Sequence, residues 1–246
     1  MTTALHAADL TITAKLTGKE SSGVSHLYLT KDRARVEQEA SSGKHVILFD
    51  AARQTFWMIN VDKQTYVEIT KEDVERAHTQ MSKEMAAMRE KLKALPPEQR
   101  KQVEGMMPGG MGAAAPSAPP IQYRKVGTNR VAQWTCDTYE GYQNKQKSRE
   151  ACIIDPKQLG ATPQDFAVIQ QFSDMLSRLS PMDTERVNVF DPALPGFPVR
   201  LTAFRNGQSA SVWEVTDVQR AALPSALFQI PAGFQKERPE PRQPRP

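Results

Sequence analysis

The chain has 246 residues, 39% of them hydrophobic and 24% charged, which suits one large domain or two small ones. Folding a chain of this size buries on the order of 29,000 Å², enough for a core and too much for wholesale disorder. No run approaches the roughly 18 apolar residues that a membrane helix needs, and 32 basic against 28 acidic residues make a mixed surface, not a nucleic-acid binder's field.

The N-terminal MTTALHAADL lacks the charged and apolar regions of a complete signal peptide. Its small-residue string, Ala4 to Ala8, reads either as the stub of a cleavage region or as an ordinary frayed terminus. From residue 9 to residue 70 the chain reads as short strands: DLTITAKLT, VSHLYLT, RARVEQEA, KHVILFD, QTFWMIN and QTYVEIT. Each is rich in β-formers with partial period-two alternation. In the first, Leu10, Ile12, Ala14 and Leu16 face one side while Thr11, Thr13, Lys15 and Thr17 face the other. The connections are too short for crossover helices, so the sheet is an antiparallel meander.

At Thr70 the period changes. Thr70 with Asp73 fits a capping box, and Ile69 with Val74 has the spacing of a hydrophobic staple. A seam of Met81, Met85, Met88, Leu92 and Leu95 then predicts one apolar face of a helix. Pro96-Pro97 ends it and opens a second helix, PPEQRKQVEGMM, so that residues 71–107 form a helical hairpin. Residues 108–120, Pro-, Gly- and Ala-rich, read as a flexible linker. The seam either packs as core against the chain's own sheet or faces a ligand or partner, a use that suits methionine.

Strands resume with IQYRKVG, RVAQWTCDTYEGYQ and REACIID, a hairpin with Lys145 to Arg149 near its tip. It carries the only cysteines, Cys136 and Cys152. The four histidines lie far away in the first third, which disfavours zinc, and the spacing is not that of a thioredoxin-type pair. Two buried thiols and one disulfide both remain open. TPQDFAVIQQFSDMLSRLS is an amphipathic helix with Phe166, Ile169, Phe172, Leu176 and Leu179 on its stripe and Thr162 as N-cap. VRLTAFRNG and SASVWEVTDVQR form a hairpin at Asn206-Gly207; LPSALF is a short helical turn, and IPAGFQK closes a single domain of residues 9–236. The Pro- and Arg-rich residues 237–246 are a disordered or polyproline-like tail.

Motifs for a nucleophile elbow, a metalloprotease helix, a P-loop or a dinucleotide fold are missing from the sequence. Carboxylate pairs such as Asp183 with Glu185 sit in polar settings, and the basic run Lys145 to Arg149 lacks interleaved stacking aromatics. The reading is therefore mainly β (α+β), with no catalytic residue, no metal, no cofactor and no nucleic-acid partner.

The order of these parts resembles the DUF4412 family of exported bacterial proteins, whose fold is similar to that of the LolA/LolB-like lipoprotein carriers. The matching pieces are QTFWMINVDKQTYVEI, ALPPEQRKQVEGMM, WTCDTYEGY with REACIIDP, and GFPVRLTAF through LPSALFQIPAGFQK. The resemblance implies a strongly curved antiparallel sheet, half a barrel, with helices over its concave face. It also implies export and an oxidised Cys136–Cys152 pair, but no carrier's binding residues map onto this chain. The expectation is a periplasmic or secreted, non-enzymatic protein binding a hydrophobic partner such as a lipid, acyl chain or lipoprotein. Met81, Met85, Met88, Leu92 and Leu95 are its candidate contact residues. The alternative is an envelope structural or protein-interaction module whose core is filled by its own helices.

Overall fold

The computed structural model describes residues 9–18, 22–40, 43–93, 95–96, 121–179, 191 and 193–237. The second predicted helix, the linker at 108–120 and the tail beyond Glu237 lie outside the described residues. The meander is present as β1 (Leu10–Gly18), β2 (Gly23–Leu29), β3 (Arg33–Ala40), β4 (Gly43–Asp50), β5 (Thr55–Asn60) and β6 (Thr65–Thr70). Helix α1 (Lys71–Lys93) follows. The second half comprises β7 (Gln122–Val131), β8 (Trp134–Gln143), β9 (Gln146–Ile154), helix α2 (Pro163–Leu179), β10 (Phe197–Arg205), β11 (Gln208–Arg220) and β12 (Gln235–Glu237).

Among the described residues all the strands belong to one open, curved 12-stranded sheet in the order β12-β6-β5-β4-β3-β2-β1-β11-β10-β9-β8-β7. Antiparallel pairing of β1 with β11 joins the two halves. One pairing departs from the expected antiparallel pattern: β12 runs parallel to β6, with Lys236 opposite Tyr66. The Asn206-Gly207 hairpin forms as read, both residues at positive φ, 52° and 75°. The cysteine hairpin differs in detail. Its tip is Asn144-Lys145, and Arg149 is not near it but lies within β9, only 7% exposed.

The two α-helices among the described residues start on the same device. The Thr70 hydroxyl accepts from the Asp73 N–H at 3.2 Å while the Asp73 carboxylate accepts from the Thr70 N–H at 3.0 Å. Thr162 and Asp165 repeat the reciprocal pair at 3.2 and 2.7 Å. The buried Asp165 also receives Arg220 of β11 at 2.8 Å, which ties the start of α2 to the sheet.

Alternation sends one set of side chains under the helices. Leu10, Leu29, Ala34, Phe49 and Phe56 are at most 2% exposed there and pack with Val74 of α1 and Val168, Ile169, Phe172 and Met175 of α2. The Phe49 and Phe172 rings lie 5.4 Å apart. The predicted stripe of α2 thus supplies Ile169 and Phe172 to the core, with Phe166 and Leu176 half-buried at its flank. The helical cover is smaller than the resemblance implies, and the sheet does not close.

On the opposite face, over β4 and β5, Val46, Leu48 and Ile59 form a second cluster under Ile230 and Phe234. The C-terminal segment that brings these residues is fastened by named bonds. Arg35 donates to the Leu227 carbonyl at 2.7 Å, Lys236 pairs with Glu68 at 3.2 Å, and the Gln235 N–H donates to the Gln64 carbonyl at 3.0 Å. Arg35 is itself aimed by Glu37, a buried carboxylate that it meets at 2.6 Å and that Lys44 meets at 2.9 Å.

Cys136 and Cys152 are bonded, which resolves the two readings in favour of the disulfide. The bond links β8 to β9 with Cα atoms 5.4 Å apart and a sequence separation of 16, a loop worth about 3 kcal/mol in the chain-entropy model.

Burial pushes the Glu37 carboxyl up, but hydrogen bonds and charge from Lys44 and Arg35 outweigh it and leave it below the ordinary glutamate value. A carboxyl depressed on folding adds stability above its unfolded pKa and loses it as the pH falls through the folded one. Glu37→Gln is expected to cost about 2 kcal/mol at pH 7. Urea unfolding at pH 7, 5 and 3 should show the gap from wild type narrowing only below the ordinary carboxylate range.

Candidate functional site: a half-open apolar row

The pairing registers align side chains of the helix-bearing face into transverse rows. Leu10, Leu29, Ala34, Phe49, Phe56 and Ile69 form the first, one residue from each of β1 to β6. The second, two residues along each strand, is Ile12, Leu27, Val36, Ile47, Met58 and Val67. Beyond it the corresponding positions of β2 to β6 are Ser25, Gln38, His45, Asn60 and Thr65, a polar border, with the buried Ala14 on β1.

The first row is sealed by α1 and α2. The second is sealed only at its β1–β2 end, where Ile12 is 2% and Leu27 8% exposed. Val36, Ile47 and Val67 are half-buried, and Met58 is 44% exposed. A single exposed apolar residue needs no explanation. Four such residues in register, crossing four strands spaced about 4.8 Å apart, make a strip of roughly 14 Å beside a polar border. Such a strip has surface to lose to an apolar partner and carries no group that titrates in place. Chemically it can bind; nothing in it supplies an acid, a base or a nucleophile.

The predicted seam on α1 is buried in part. Leu92 is buried, at 7% exposure, and Leu95 is half-buried. The backbones of Met81, Met85 and Met88 are helical, and their side chains lie outside the described residues. Sequence reading did not select Ile47, Met58 and Val67. Alternation alone puts Phe56 and Met58 on one face of QTFWMIN, but only the registers of β4 and β6 make a row of them.

Two polar clusters sit elsewhere and are closed on themselves. On the helix-bearing face at β7 to β9, the Tyr123 hydroxyl donates to Asp191 at 2.9 Å, with Arg149 at 4.0 Å from the same carboxylate oxygen. Burial and then the Asp191 charge push the Tyr123 hydroxyl far up, so it serves as a neutral donor. Gly141, opposite Tyr123, leaves room for its ring, since a Cβ there would lie 2.7 Å from it. On the other face, hydrogen bonds from Lys147, Tyr142 and Arg124 hold the Glu140 carboxyl down at about 2. Lys147 also meets Glu150 at 2.6 Å, so this member of the basic run is neutralised by carboxylates. Among the described residues no three His, Cys, Asp or Glu side chains are grouped to hold a metal ion.

The model of a family described as a domain of unknown function, DUF4412, matches residues 116–234, which run from just before β7 to the C-terminal segment. Compared with curated proteins, the sequence finds no match. Among solved structures, the chain is similar to an uncharacterized conserved protein from Thermus thermophilus, with a TM-score of 0.50 at 12% identity, over 94% of this chain and 91% of that one. That likeness is one of fold. The chain is also similar to a Pseudomonas aeruginosa MucA/MucB complex structure, with a TM-score of 0.40 at 12% identity, over 91% of this chain and 56% of that one. A LolA superfamily protein from Nitrosomonas europaea aligns with a TM-score of 0.31 at 8% identity, over 92% and 91%.

The two rows separate by mutation. Phe56→Ala, in the sealed row, should cost about 3–5 kcal/mol in urea unfolding. Met58→Gln, two residues along in the open row, should stay within about 1 kcal/mol of wild type.

Proposed function

For a chain whose residues 116–234 match the DUF4412 family model, we propose export to the periplasm or beyond the cell and non-enzymatic binding of a hydrophobic partner. The partner is a lipid, an acyl chain or the apolar part of a lipoprotein, held along the second row of the helix-bearing face. The observation that carries this reading is the row itself: Val36, Ile47, Met58 and Val67 in register, with Met58 44% exposed. Burying a strip of this kind contributes roughly 25 cal/mol for every Å² of apolar surface removed from water. Export is supported by the Cys136–Cys152 bond, because disulfides persist in oxidising compartments. A shared fold does not settle function, so the reading rests on the row and not on the neighbours.

In this reading α1 is the adaptable wall of the site, with Met81, Met85 and Met88 as contacts that repack around different partners. A second reading is favoured by the burial of Leu92 on the same seam: the seam is core, the face is filled by the chain's own helices, and the protein is an envelope structural or interaction module.

Native mass spectrometry and lipid extraction of the purified protein, with competition against a hydrophobic dye, decide whether a ligand is carried. Co-purifying lipid that displaces the dye is the expected result, and its absence from both assays removes lipid carriage. Met85→Asp separates the two roles of the seam: an adaptable wall loses ligand while the sheet stays folded, whereas a core seam unfolds with the substitution.

A further inference from the structure

The thioether of Met58 occupies the centre of the open strip. Its cross-strand neighbours on the same face are Ile47 and Val67, neither with a side-chain polar atom. Both cysteines of the chain are already joined to each other, so no thiol competes for a mild oxidant. Met175 of α2 supplies an internal contrast, since it is buried at 8% exposure within the core while Met58 stands at 44%.

From this placement we propose that Met58 is a reversible oxidation site whose sulfoxide switches off binding along the row, an inference that rests on the hydrophobic-partner reading above. The chemistry needs only a hydroperoxide. A lone pair on Sδ attacks the outer peroxide oxygen, the O–O bond breaks, and an S–O bond forms. The departing oxygen takes a proton and leaves as water or an alcohol. Sulfur loses two electrons and the peroxide gains them; enzymatic reduction restores the thioether, two thiols giving up two electrons and two protons to become a disulfide while the sulfoxide oxygen leaves as water. The product is a strongly polar, hydrogen-bond-accepting group set between Ile47 and Val67. A ligand lying on the row must then strip water from that group with no donor offered by either neighbour, and such desolvation is unfavourable. The switch acts at the surface: the sealed row beneath α1 and α2, with Phe49 and Phe56 at its centre, keeps its packing.

The experiment treats the full chain with hydrogen peroxide, maps methionine oxidation by peptide mass spectrometry, and titrates anilinonaphthalene sulfonate before and after. Met58 is expected to oxidise well ahead of Met175, and dye affinity to fall about tenfold, the loss expected when one side chain of this size stops contributing apolar contact. Met58→Leu, which cannot form a sulfoxide at this position, should lose much less affinity on peroxide treatment than wild type does, each compared with its own untreated state. Met58→Gln, polar without oxidant, should bind as weakly as oxidised wild type. Equal loss in peroxide-treated Met58→Leu, or oxidation of Met58 no faster than of Met175, overturns the proposal. Dye binding that is present but indifferent to Met58 oxidation overturns the switch alone. Absence of dye binding before any oxidant strikes down the hydrophobic-partner reading and the switch with it.

Discussion

Strand register is the constraint on which the face of this protein depends. Side chains alternate with a period of two, so a slip of one residue between neighbours would turn every apolar side chain of a strand to the wrong face. The rows from β1 to β6 stay aligned because the connections fix the offset. The turns between β4 and β5 and between β5 and β6 each close on a residue with positive φ, Gln54 at 48° and Gln64 at 53°. A non-glycine residue costs about 1–2 kcal/mol in that region, so the pairing that these turns permit must more than offset it. Phe49 against Phe56 and Ile47 against Met58 are the pairs that result.

The two faces of the sheet solve the same burial problem differently. On one, the first row is covered by α1 and α2, while in the second Val36, Ile47 and Val67 are half-buried and Met58 is exposed beside a polar border. On the other, the chain covers the apolar patch over β4 and β5 with its own C-terminal segment and secures it with charge. Arg35, Glu37 and Lys44 form a chain of ion pairs that ends on a backbone carbonyl of that segment. A buried carboxylate with two cationic partners is costly to separate from either of them. The patch over Val46, Leu48 and Ile59 is covered, whereas among the described residues the strip around Met58 is left partly open.

Local features were legible in the sequence where they depend on neighbours along the chain. The alternation in LTITAKLTG, the Asn206-Gly207 turn and the Thr70–Asp73 cap all appear where the residues announce them. So does the apolar stripe of α2 as far as Leu176, though its buried set also includes Val168 and Met175, each one position before a stripe residue. Features that depend on partners far along the chain were not legible. Gln235–Glu237 carries no strand signal, and becomes β12 only because β6 offers it an edge. Arg149 reads as part of a solvated basic run, yet its strand position turns it under the helix-bearing face toward Asp191. The candidate site was legible to the same degree: an apolar methionine seam on a helix can be read from spacing, whereas a row across four strands cannot be read before their registers are known.

The pairing of β1 with β11 has a consequence for the order in which the chain acquires its structure. Leu10 meets Arg220 and Leu16 meets Trp213, so the seam that makes one sheet from two joins residues about two hundred positions apart. Contacts at such separation carry the largest loop-closure entropy and form late. A chain emerging N-terminus first can complete β1 to β6 from local hairpins, but β1 then stays an unpaired edge until residue 220 has arrived. Leu10, Ile12 and Ala14, less than 3% exposed in the finished fold, stand beside that edge during the interval. This period of greatest exposure to aggregation ends only when β11 is present to pair with β1.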